Sequence, residues 1–156
     1  MSYILENKNN EDCVFCHAST LPDGDENLIV FRGEYAYVIL NRYPYTSGHL
    51  MVVPFVHCAT LEGLSVETRA EIMELVSRCV EALTAEYQAQ GFNIGANLGG
   101  AAGAGIPKHI HFHIVPRWQG DTNYMSAIGN TRVVPESLEE SYQRIFNAWE
   151  KLIKQT

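Results

Sequence analysis

No stretch of this sequence is apolar for long enough to cross a bilayer, which takes about 20 residues. Its first residues, Met1 to Lys8, lack the basic start and apolar core of a secretory signal, so the expected compartment is the cytoplasm. Positive charge is scarce: 11 Lys and Arg stand against 18 Asp and Glu, a net charge of −7. That balance excludes a broad basic surface for nucleic acid, and an anionic ligand would need a locally favourable pocket. Internal repeats and low-complexity tracts are absent. With 46% apolar and 19% charged residues, the composition is that of a folded domain rather than a disordered chain. At 156 residues there is room for one domain, 1–156, and too little for two comfortable ones.

Cysteines are few, at positions 13, 16, 58 and 79. Cys13-x-x-Cys16 interrupts a polar N-terminal segment, 1–27, and reads either as a redox pair or as half of a zinc site. A redox pair belongs at a helix start near a βαβ pattern, and no such pattern follows. His17 and Cys58 are candidates for further ligands by proximity in sequence. Cys79 falls on a helix's apolar face and reads as a small core residue.

Three strands are expected between Leu28 and Pro54: Leu28–Arg32, Tyr35–Leu40 and His49–Val53. Asn41 and His49 flank the loop between the last two, where functional groups tend to sit. Ser65 to Gln90 is the clearest helix, with Ile72, Leu75, Val76, Cys79, Val80, Leu83 and Tyr87 forming one apolar stripe. Ser65 is the expected N-cap and Gly91 the expected C′ glycine. A strand over Phe92–Leu98 and a closing helix over 135–154 complete the elements.

The most informative stretch is His109-Ile110-His111-Phe112-His113-Ile114-Val115, entered through the small-residue loop Gly99 to Gly105. Histidines two apart would project from one face of a strand, with Ile110, Phe112 and Ile114 facing a core. Successive rings would stand about 6.6–6.8 Å apart, too far to touch but suited to a polyphosphate lying along the strand. One metal ion shared by all three is excluded, because they would span about 13 Å. The loop matches neither the Walker nor the Rossmann spacing, yet its backbone N–H groups can approach an anion closely.

These seven residues resemble the His-φ-His-φ-His-φ-φ signature of the histidine-triad (HIT) family, where φ is apolar. The likeness extends through Asn41, Ser47-Gly48-His49, Pro54 with His57, Asn97, Ala102-Gly103 and Pro116-Arg117. Trp118, Gly120-Asp121 and Asn123-Tyr124 make it most similar to the bacterial diadenosine tetraphosphate phosphorylase-type branch. Five residues between Gly103 and His109, against four in the commonest pattern, fit that branch too. The resemblance implies an α+β fold, an antiparallel sheet with one long helix and a C-terminal helix, paired as a two-fold homodimer. It implies nucleotidyl transfer or hydrolysis through His111, which would attack the α-phosphorus of a dinucleoside polyphosphate and form a nucleotidyl-histidine. The carbonyl of His109 would take the proton of the other ring nitrogen, and His113 would contact the phosphate oxygens. Asn97 and backbone N–H groups of Gly103, Ala104 and Gly105 would hold developing charge. Asn41 would bind the ribose and Ile39 and Met51 the base, with His49 and Trp118 also at the nucleotide.

Zinc-bearing relatives map a structural site onto Cys13, Cys16, His57 and His109, two thiolates and two imidazoles closing a tetrahedron. The competing readings are hydrolysis of adenylyl sulfate or nucleoside phosphoramidates, and a nucleotide-binding module without catalysis.

Overall fold

The structure, a computed structural model, describes residues 12–122 and 136–155. Its elements in chain order are α1 (Val14–Thr20), β1 (Ile29–Arg32), β2 (Ala36–Leu40), β3 (Leu50–Pro54), α2 (Val66–Tyr87), β4 (Gly91–Gly95), β5 (Phe112–Arg117) and α3 (Leu138–Lys154). All strand pairs are antiparallel, in the order β1-β2-β3-β5-β4. The architecture is the α+β one expected: a five-stranded antiparallel sheet, a long helix and a C-terminal helix. A short first helix was not expected.

The sheet's register places the chemistry. Ile39 pairs with Met51, Met51 with His113, and His113 with Gly95. Paired residues share a face, so these four form one row across the sheet. The neighbouring row, Leu40, Leu50 and Ile114, faces the other way and is buried against α2. α2 adds Ile72, Leu75, Val76, Cys79 and Leu83 to that core, with Cys79 fully enclosed as expected. Gly48 lets the chain pass close to α2, since a Cβ there would meet Leu83 at 2.9 Å. α3 packs on α2 and β1, where the Trp149 ring meets Phe31 at 5.3 Å.

Ser65 caps α2 by accepting from the Thr68 N–H. Ser137 and Glu140 form a capping box on α3, which therefore starts at Leu138. The expected start at Pro135 lies outside the described residues. α2 ends with its apolar stripe at Tyr87, short of the expected Gln90. Gln88, not Gly91, adopts the left-handed cap conformation at φ 52°, and Gly91 opens β4. The cause is the sheet: the Gln90 N–H already donates to the Arg117 carbonyl.

β4 stops at Gly95 rather than Leu98, because its partner β5 begins only at Phe112. His109, Ile110 and His111 precede that strand in irregular backbone, pinned where the Ile110 N–H donates to the Cys58 carbonyl at 2.7 Å. The strict two-residue alternation expected through all three histidines is therefore broken. Their rings do not stand in a spaced row: His111 and His113 touch edge to face at 4.9 Å between centroids.

Candidate active site

A cleft of about 740 Å³ opens on the sheet face that carries His113. Its floor is Ile39 and Met51, and one wall is α1, through Val14, Phe15 and Ala18. Asn41 and Tyr45 enter from the β2–β3 loop, Asn97, Gly103 and Gly105 from the loop beyond β4, and His111 and His113 close the end. Leu28 lines the same cleft in a left-handed backbone conformation, φ 62°, rare for a branched residue. It is held there by its N–H to the Gly24 carbonyl and by the Leu40 N–H to its own carbonyl, both at 2.9 Å.

His111 is oriented from behind. Its Nδ1–H donates to the backbone carbonyl of His109 at 2.8 Å. A carbonyl only accepts, so Nδ1 carries the proton and Nε2 keeps its lone pair. Phe15 packs against the ring at 4.9 Å. Burial holds the imidazole below its usual titration range, against the opposing effect of the bond to His109, so the ring is neutral near pH 7.

His113 is fixed by a second chain of bonds. The Tyr45 N–H donates to His49 Nδ1 at 3.1 Å, which puts the His49 proton on Nε2. His49 Nε2 then donates to His113 Nδ1 at 2.9 Å. His113 must therefore carry its own proton on Nε2. Burial, with the other histidines nearby, lowers His49 to about 3, and burial with His111 beside it lowers His113 to about 4. His49 is fully enclosed and lies behind His113 rather than in the cleft.

His109 faces elsewhere. Its Nδ1 lies 3.3 Å from Cys13 Sγ and 3.6 Å from Cys16 Sγ, and His57 Nδ1 lies 3.4 Å from Cys16 Sγ. The four ligand atoms lie within 4.8 Å of one another. A zinc tetrahedron with the usual Zn–S and Zn–N lengths has S···N edges of about 3.5 Å, so the donor set fits that ion. The His109 Nε2–H donates to the Pro54 carbonyl at 2.9 Å, leaving Nδ1 bare for a metal. Burial pushes the Cys16 thiol up to about 11, so a thiolate there requires a cation. His17 and Cys58 are not part of the cluster.

Some expected residues stand apart from the cleft. The Trp118 indole N–H donates to the Tyr87 carbonyl at the end of α2, and the residue lines no part of the cleft. Ala104 is outside it as well. A 3-10 turn over Gly100–Ala102 folds the small-residue loop on itself, so the Gly103 N–H donates to the Gly100 carbonyl and that of Ala104 to Gly99. Among the described residues only the Gly105 N–H of the three expected donors has no partner. Sequence reading overlooked Phe15 and Tyr45; Phe15 lies between the two cysteines and Tyr45 midway between Asn41 and His49, and aromatic character at those places was their only signal.

A neutral imidazole with a bare nitrogen and a second imidazole presenting an N–H thus meet at the end of a cleft with an apolar floor and a polar rim. The chain belongs to the HIT domain family, whose family model matches residues 24–120. It is 39% identical to the AP-4-A phosphorylase of Mycobacterium tuberculosis over 125 residues, 80% of this chain and 64% of that protein. The chain thus spans under two-thirds of that relative's length. Among solved structures it is similar to a Zn-bound histidine triad family protein from Mycobacterium smegmatis, at TM-score 0.76 and 29% identity, covering 94% of this chain and 99% of that one. A hypothetical histidine triad nucleotide-binding protein from Sulfolobus tokodaii matches at TM-score 0.74 and 27% identity, covering 92% and 95%.

Proposed function

We propose that this chain is a cytoplasmic nucleotidyl-transfer enzyme acting on the α-phosphorus of a dinucleoside polyphosphate of the diadenosine tetraphosphate kind. The observation that carries this reading is the bond from His111 Nδ1–H to the His109 carbonyl, which leaves Nε2 bare in the cleft. The base rests on Ile39 and Met51, and Asn41 meets the ribose. His111 Nε2 donates its lone pair to the α-phosphorus, and the P–O bond to the rest of the substrate breaks, with its electron pair leaving on oxygen. The His113 Nε2–H donates to that departing oxygen. Asn97 and the Gly105 N–H hold charge on the non-bridging oxygens. Inorganic phosphate or water then attacks the same phosphorus and regenerates the free imidazole.

Zinc belongs to the same proposal as a structural ion on Cys13, Cys16, His57 and His109. Bound there it supplies no chemistry to the substrate but ties α1, which walls the cleft, to the His109 backbone that orients His111. Two-fold pairing is also part of the proposal. It is supported by the open edge of β4, where Ile94 is 48% exposed.

Incubation with diadenosine tetraphosphate, with and without inorganic phosphate, tests the reading. ADP plus ATP formed only with phosphate identifies a phosphorylase, and AMP plus ATP a hydrolase. Tight binding with no product from this substrate, adenylyl sulfate or a phosphoramidate would instead make the chain a nucleotide-binding module and overturn the proposal.

A further inference from the structure

Beyond His113 a second cleft of about 570 Å³ opens on the same sheet face. It shares Tyr45, Asn97 and His113 with the first and continues past Val115 to Arg117 on β5 and to Asn93 on β4. His113, Val115 and Arg117 alternate onto one face, and their run covers about 13 Å. Beside His113 the floor is bare, because its partner Gly95 has no side chain and a Cβ there would meet nothing within 4 Å.

We infer that this second cleft holds the leaving half of a dinucleotide, with the Asn93 amide donating to it and the exposed Tyr45 ring offering a face for its base. The inference rests on the proposed reaction and deepens it by naming where the second nucleotide lies. The direction follows from His113, which lines both clefts while His111 lines only the first: the oxygen that receives the His113 Nε2–H departs on the side of the second cleft.

Asn93 is built to donate. The Arg117 Nη1–H donates to Asn93 Oδ1 at 2.7 Å, and arginine cannot accept, so the amide orientation is fixed with Nδ2 directed away from Arg117. Arg117 is itself clamped by Asp121, with Nε at 2.6 Å from Oδ2 and Nη2 at 2.8 Å from Oδ1. Its charge is therefore compensated within the protein, and it acts as a strut for Asn93 rather than as a phosphate ligand. Asn97, at the junction of the clefts, has no side-chain partner among the described residues. Tyr45 is 50% exposed, with its ring lying nearly parallel to His113 at 6.1 Å between centroids. Two amides and an aromatic face suit a nucleoside with its phosphates better than a bare anion, which would call for uncompensated positive charge.

Asn93→Asp tests the claim, because it keeps an acceptor for Arg117 and puts a charged oxygen where the amide would donate. Loss of a hydrogen bond to a charged ligand, replaced by repulsion, should lower kcat/KM for diadenosine tetraphosphate by about ten-fold or more. Adenylyl sulfate, whose leaving group is too short to reach Asn93, should change by less than about two-fold on the same scale. In a His111→Asn background, which leaves the dinucleotide intact, the same substitution should weaken dinucleotide binding and leave AMP binding unchanged. Equal loss with both substrates, or no loss with either, overturns the subsite. Inactivity of the unmodified protein toward both would refute the proposed reaction instead. The binding comparison would still decide the cleft: unchanged dinucleotide affinity overturns it there as well.

Discussion

Replacing His49 by Phe is the sharpest probe of how the triad's third histidine is set. His49 does not line the cleft, yet it receives the Tyr45 N–H and passes its own proton to His113 Nδ1 at 2.9 Å. Phenylalanine fills the space and removes both bonds. The Tyr45 N–H and His113 Nδ1 then lose partners in half-buried surroundings that water can reach, at about 0.5–1.5 kcal/mol each, so stability should fall by about 1–3 kcal/mol. The catalytic effect is separate. Without the donor, neither the tautomer nor the tilt of His113 is fixed, and a bond worth about 1–1.5 kcal/mol corresponds to roughly ten-fold in kcat. The loss should grow with the basicity of the leaving group, since a poorer leaving oxygen depends more on the N–H it receives. A series of adenylyl donors with leaving groups of rising pKa, assayed under saturation on folded protein, gives that slope. A variant whose kcat stays within two-fold across the series, or whose loss is the same for every leaving group, would refute the assignment of the proton to His113 Nε2.

Two further predictions concern the metal and pH. Cys16→Ser should lose bound zinc in a metal assay and lower the melting temperature by about 10 °C, as expected for a loss of about 3–5 kcal/mol in a chain of this size. A variant that still binds one equivalent of zinc with unchanged melting would remove the structural role. For pH, His49 titrates near 6.5 when unfolded and near 3 in the folded chain, with Tyr45, Asn41, His111 and His113 around it. The unfolded state therefore takes up the proton first. The stability due to neutral His49 is complete above pH 6.5 and is lost progressively as pH falls toward 3, amounting to about 1.4 kcal/mol at pH 5.5. Denaturant titrations at pH 7.5 and 5.5 should show more than that decrease in the unmodified protein, because buried His113 adds its own loss over the same window, and a smaller decrease in His49→Phe.

The sequence made the strand-and-helix frame readable where periodicity is strong, as in the stripe from Ile72 to Leu83, which is the buried face of α2. It also brought the histidines to attention, but for partly the wrong geometric reason. Alternation predicted three imidazoles in one spaced row. Tertiary bonds instead turn His109 into the cysteine cluster and set His111 against His113, because the Cys58 carbonyl captures the Ile110 N–H before the strand begins. α1 was invisible: seven residues, four of them His, Ala, Ser and Thr, make too short a stretch for a helical period to register. The direction of Trp118, whose indole N–H goes to the Tyr87 carbonyl, was not legible, because adjacency to the motif says nothing about which way the chain turns after Arg117.

The central claim is that His111 Nε2 becomes bonded to the α-phosphorus. Rapid quenching of the protein with diadenosine tetraphosphate, followed by mass spectrometry of the peptide spanning residues 109–117, reads this directly. A transient adduct of one AMP on His111 is expected, formed before product is released and lost in His111→Asn. Full turnover with no adduct at any time, or an adduct on His113 instead, would contradict it.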